Sequence, residues 1–78
     1  MIITTKNGGG NLNSLKLKAK RVEKNITQRS IAKALQTTPK TYCFKELGRT
    51  QFNVDEISQL IKILDLTTDE VMCIFFES

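Results

Sequence analysis

The 78-residue chain carries 12 Lys and Arg against 8 Asp and Glu, no His, and a net charge of +4, with 40% hydrophobic residues. That describes one small domain, near the size at which a single core just suffices, and no apolar run is long enough for a membrane span or a signal-peptide core. Without His, a phosphate loop, a GxSxG or acids gathered round a cleft, the composition speaks against an enzyme, and no catalytic residue is assigned.

Cys43 and Cys73 have no paired spacing and no histidine to complete a metal site. They read as two reduced thiols in a cytoplasmic protein, with neither metal nor cofactor. Charge is distributed unevenly. Residues 1–52 hold eleven Lys and Arg against Glu23 and Glu46, a balance of +9, while residues 53–78 hold Lys62 against six acids, a balance of −5. A basic half beside an acidic one is a polarised field suited to a polyanion on one side.

Residues 1–11 lack periodicity and contain Gly8-Gly9-Gly10, so they are expected to form a disordered leader ahead of a 12–78 domain. The Asn7-to-Gly10 run can also be a translated ribosome-binding site, which would put the biological start at Leu12 rather than Met1. Helix 1 is expected from Asn13 to Lys24. Leu15, Ala19 and Val22 are expected to form one inner row and Leu17 beside Arg21 another, with a basic stripe of Lys16, Lys20 and Lys24. Asn25 suits a left-handed helix end, and Ile26 should be buried in the link that follows.

The stretch from Thr27 to Gly48 reads as two short helices around a tight polar turn. Thr27 caps the first, whose apolar face is Ile31, Ala32 and Leu35. Gln36, Thr37 and Thr38 break the pattern. Thr38 then caps a second helix that begins at Pro39, places Tyr42 inward and ends before Gly48. Two helices of this length around such a break have the layout of a DNA-binding helix-turn-helix, and a small residue such as Ala32 permits their close crossing.

Phe52 follows as an apolar anchor. Asn53-Val54-Asp55-Glu56 opens helix 4, which carries Ile57, Leu60, Ile61 and Leu64. Thr67-Thr68-Asp69-Glu70 repeats the capping-box signature before helix 5, with Val71, Met72, Ile74 and Phe75. Five helices and no credible strand predict an all-α, compact five-helix bundle.

The run TQRSIAKALQTTPKTYCFKELG resembles the helix-turn-helix of the phage repressor and Cro group, the XRE family of bacterial and prophage regulators. Gln28, Ala32, Glu46 and Gly48 fit that family's pattern, and LKAKRVEKNI upstream and LIKILDLTTDEV downstream extend the likeness from roughly Leu15 to Phe76. Two positions depart from it. Gln36 stands where the family usually has Gly, at about 1 kcal/mol if a left-handed backbone is kept. Lys45 stands where the family has an apolar residue, so Phe44 or the Lys45 stem would have to cover that space.

The resemblance implies a phage-repressor-type fold and a sequence-specific transcriptional regulator whose partner is double-stranded DNA, with no membrane and no small-molecule effector. Helix 3 would enter the major groove with Thr38, Pro39, Lys40, Cys43 and Phe44 towards the bases. Lys40 would donate to guanine, and Phe44 would either touch a thymine methyl or fold back over Lys45. Phosphates would fall to Gln28 at the start of helix 2, the backbone around Leu47 and the Arg49 side chain. Arg21 and Glu46 occupy the positions of a family ion pair joining helix 1 to the recognition helix.

A domain this small cannot easily bury Met72, Ile74, Phe75 and Phe76 together. Met72 and Phe76 are therefore candidates for a homodimer seam as well as for a terminal plug on the core. The competing functional reading is a small protein-interaction module, such as an antitoxin or antirepressor, using the same helices against a protein.

Overall fold

The computed structural model describes residues 12–76, so the expected leader lies outside the described residues. Five α-helices follow one another: α1 (Ser14–Glu23), α2 (Gln28–Ala34), α3 (Pro39–Glu46), α4 (Val54–Ile63) and α5 (Thr68–Val71). The last continues directly into a π-helical segment, Met72–Phe76. The class is all-α, with no strand among the described residues.

Each helix begins at a side-chain cap. Asn13, Thr27, Thr38, Asn53 and Thr67 accept hydrogen bonds from the amides of Lys16, Ser30, Thr41, Glu56 and Glu70. Those amides have no partner within their own helix, so the cap decides where helix starts. In α4 and α5 the third helical residue, Glu56 or Glu70, also reaches back to the cap amide, completing the capping box.

The ends repeat one device. Asn25, Gln36 and Asp65 take φ of 60°, 61° and 52° after α1, α2 and α4, and Gly48 takes 88° after α3. Gln36 thus keeps the left-handed turn without glycine, and the backbone accepts a cost of about 1 kcal/mol there.

Leu17, Ile31, Ala32, Leu35, Tyr42, Leu60, Leu64, Leu66, Ile74 and Phe75 form the buried cluster. Phe52 links its aromatic members, with ring centroids 6.0 Å from both Tyr42 and Phe75. Ile26, Ile57 and Ile61 are half-buried against the same core. The start of α1 is tied twice: the Asn13 amide donates to the Ile74 carbonyl at 2.6 Å, and Ser14 Oγ donates to the Glu46 carbonyl at 2.6 Å.

One expectation for α1 fails. Leu15, Ala19 and Val22 are exposed, Leu15 at 80%, while Leu17 and Arg21 are buried. Positions two apart differ by about 200° of helix rotation, so the rows through Leu15 and Leu17 cannot both face inward. The anchors at Asn13, Ser14 and Arg21 select the second row.

The C-terminal segment also departs from a plain α-helix. The wider π-helical turn brings Ile74 and Phe75 inward and leaves Met72 and Phe76 exposed. No described helix is long and apolar enough to cross a membrane.

Candidate nucleic-acid interface

Helices α2 and α3 pack on each other across the turn 35–38. Ala32, 1% exposed, sits in that crossing, and the Thr37 amide closes the turn onto the Ala32 carbonyl at 2.8 Å. α3 therefore has a fixed inner face, Tyr42 and Glu46, and an open outer one.

The inner face is held by charge as well as packing. Arg21 Nε lies 2.8 Å from Glu46 Oε1 and Nη2 lies 3.3 Å from Oε2, a forked pair with both side chains at most 10% exposed. Arg21 Nη1 also donates to the Ile26 carbonyl at 2.9 Å, which fixes the link into α2. Gln28 Nε2 donates to Glu46 Oε2 at 3.2 Å. One carboxylate thus joins α1, α2 and α3. With every charged atom paired, such a cluster sets geometry more than it adds net stability.

Tyr42 is fully buried beside this cluster. Burial first, and the Glu46 charge second, push its phenol well above the ordinary value of 10.0. Its Oη lies within the field of Glu46 yet misses hydrogen-bond geometry, so it is unpaired among the described residues.

On the outer face, Thr38, Pro39, Lys40 and Phe44 are exposed and Cys43 is half-buried. All five residues expected to face bases therefore lie at the N-terminus or outer side of α3. Thr38 Oγ1 is already engaged, accepting from the Thr41 amide at 3.1 Å and donating to Thr41 Oγ1 at 2.9 Å. Its capping role is intrinsic to the fold.

The flanking residues are arranged differently from expectation. The amides of Leu47, Gly48 and Arg49 donate to the carbonyls of Cys43, Lys45 and Phe44. That leaves the phosphate contact expected at the Leu47 backbone without an amide donor. The Gln28 amide spends one N–H on Glu46 and retains the other. Arg49 turns back over α3, its Cζ 5.7 Å from the centroid of the Phe44 ring.

Three charge relationships had no sequence-level expectation. Lys45 Nζ lies 2.6 Å from Glu56 Oε2, with side chains 13% and 10% exposed, and joins the last turn of α3 to the first of α4. The only signal was Glu56 itself, a capping-box acid with one carboxylate oxygen to spare. Lys20 Nζ pairs with Glu70 across the groove between α1 and the C-terminal helix. That hydrogen bond is the main cause that raises the Lys20 pKa and lowers that of Glu70.

The third is the charge left over. Arg29, Lys33, Lys40 and Arg49 are exposed and make no ion pair among the described residues, whereas Lys20, Arg21 and Lys45 are neutralised by acids. Lys16 and Lys18 on α1, Lys24 at its C-cap and Lys62 on α4 are likewise exposed and in no ion pair among the described residues, so the free cations are spread over α1 to α4 and the loop after α3.

α3 thus has a rigidly held inner face and an exposed outer one that carries a single cation unpaired among the described residues, Lys40. The chain belongs to a family described as a protein of unknown function (DUF739), whose profile matches residues 12–78. No curated protein and no solved structure matches it.

Proposed function

We propose that the protein is a sequence-specific DNA-binding transcriptional regulator of the phage repressor and Cro type, acting in the cytoplasm as a homodimer. One observation carries the reading. The inner face of α3 is locked by Tyr42 and the Arg21–Glu46 pair, while its outer face presents Lys40 and Phe44, with the Arg49 guanidinium over the Phe44 ring. A helix with a fixed back and an open, basic front meets the requirement for major-groove reading.

In this mechanism Lys40 donates to guanine O6 and N7, and Pro39, Cys43 and Phe44 line the rest of the groove contact. The free N–H of Gln28 and the Arg49 guanidinium meet flanking phosphates and fix the register. Met72 and Phe76, about half exposed, suit the seam of a dimer that reads two half-sites about one helical turn apart.

The protein-interaction reading draws support from a different surface, the exposed Leu15-Ala19-Val22 row of α1. Selection of bound duplexes from a random DNA pool separates the two. A recovered inverted repeat is the expected result, and a pool that stays random contradicts DNA reading.

A further inference from the structure

We propose that Phe44 and Arg49 act as one reading unit, in which the Arg49 guanidinium seats the Phe44 ring to recognise the C5-methyl of thymine in the DNA major groove. The inference rests on the DNA-binding reading above and adds a base preference and a second role for Arg49.

The turn at the end of α3 builds the unit. Gly48, at φ of 88°, lets the chain reverse, and the Arg49 amide then closes onto the Phe44 carbonyl at 2.9 Å. That closure carries the guanidinium back over the residue whose carbonyl it uses, 5.7 Å from the ring centroid. A side chain other than glycine would be strained at this φ, at a cost of the order the backbone accepts at Gln36.

Phe44 is not a core residue. It is 37% exposed and lies outside both the buried cluster that takes Tyr42 and Phe75 and the half-buried set, Phe52 among them, packed against it. Lys45, over which it would otherwise fold back, is itself largely buried and paired with Glu56. The ring therefore remains on the outer face of α3, four residues beyond Lys40 and on the same side of the helix.

Chemistry narrows what the ring can read. A phenyl group is no conventional hydrogen-bonding partner, and in the major groove guanine, adenine and cytosine carry no methyl group. Thymine alone offers a methyl. A cation over one face leaves the ring edge and the other face open and holds a single orientation, which reduces the ordering cost of contact. Arg49 keeps its charge for a neighbouring phosphate while doing this.

The test uses the full chain and the duplex recovered by selection, with each thymine of a half-site replaced singly by deoxyuridine. That change removes only a methyl. At one position the wild type should bind the uracil duplex about three- to fivefold more weakly, the worth of one buried methyl-sized group. Phe44→Ala should bring that ratio to one.

Arg49→Lys should lower the ratio towards one and leave the salt dependence unchanged, because it keeps the charge and loses the planar stack. Equal binding of thymine and uracil duplexes by the wild type overturns the proposal while leaving DNA binding intact. So does an Arg49→Lys variant with the full ratio. If selection recovers no site, the DNA-binding reading fails and this inference falls with it.

Discussion

Lys45 Nζ sits 2.6 Å from Glu56 Oε2, and Glu56 Oε1 meanwhile accepts the Asn53 amide at 2.9 Å. A single buried carboxylate therefore caps α4 and anchors the end of α3. Removing Lys45 strands a charge that is about one-tenth exposed. Lys45→Met should cost on the order of 2–4 kcal/mol, and adding Glu56→Gln should recover much of it, since Gln retains the capping box. Thermal melts of the two single variants and the double variant give the coupling; strict additivity would mean that the pair is energetically silent.

The Arg21–Glu46 pair makes a parallel case across a different interface. Arg21→Ala should destabilise by about 2–4 kcal/mol, more than any exposed pair. Arg21→Met with Glu46→Leu should restore part of this, but not all. Gln28 and the Ile26 carbonyl also lose a partner, so full recovery in a urea titration would show that these extra bonds contribute nothing.

Tyr42 combines a well-packed ring with an unpaired hydroxyl. Tyr42→Ala should cost roughly 3–5 kcal/mol as a core truncation. Tyr42→Phe deletes only the hydroxyl, which sits near the Glu46 carboxylate without a direct hydrogen bond to it, and should be close to neutral. A Tyr42→Phe variant that melts well below the wild type would reveal a hydrogen bond that the geometry does not contain.

Lys20 and Glu70 give stability a pH dependence with a fixed sign. The Glu70 pKa is lowered from 4.5, chiefly by its hydrogen bond to Lys20, so its contribution is present above pH 4.5 and is lost as pH falls through the lowered value. The Lys20 pKa is raised from 10.5, chiefly by Glu70, so its contribution is complete below pH 10.5 and is lost as pH rises further. Glu70→Gln keeps the cap and removes the charge. It should melt below the wild type at pH 7 and together with it at pH 2; a gap that persists at pH 2 would assign the effect elsewhere.

The features legible in the sequence were those written in local chemistry. Thr27, Thr38, Asn53 and Thr67 announced their helices because a cap acts within one turn, and Ile31, Leu35, Leu60 and Leu64 announced the core because their spacing follows the helix period. Helix α1 was harder. Leu15-Ala19-Val22 and Leu17-Arg21 are equally good rows in isolation, and contacts from Glu46 and Ile74, distant in sequence, decide between them. Lys45 looked like a polar intrusion because its partner, Glu56, belongs to the next helix. The π-helical turn at Met72–Phe76 likewise answers to core packing and has no local signature.

What separates reading from mere holding is the behaviour of Lys40, exposed in the first turn of α3 on the side away from Tyr42. Fluorescence anisotropy of the wild type and Lys40→Ala, on the selected duplex and on a random duplex at several salt concentrations, measures it. Lys40→Ala should lose about 1–3 kcal/mol on the selected duplex and much less on the random one, narrowing the gap between them. Equal weakening on both duplexes would make Lys40 a phosphate contact and contradict the placement of α3 in the groove.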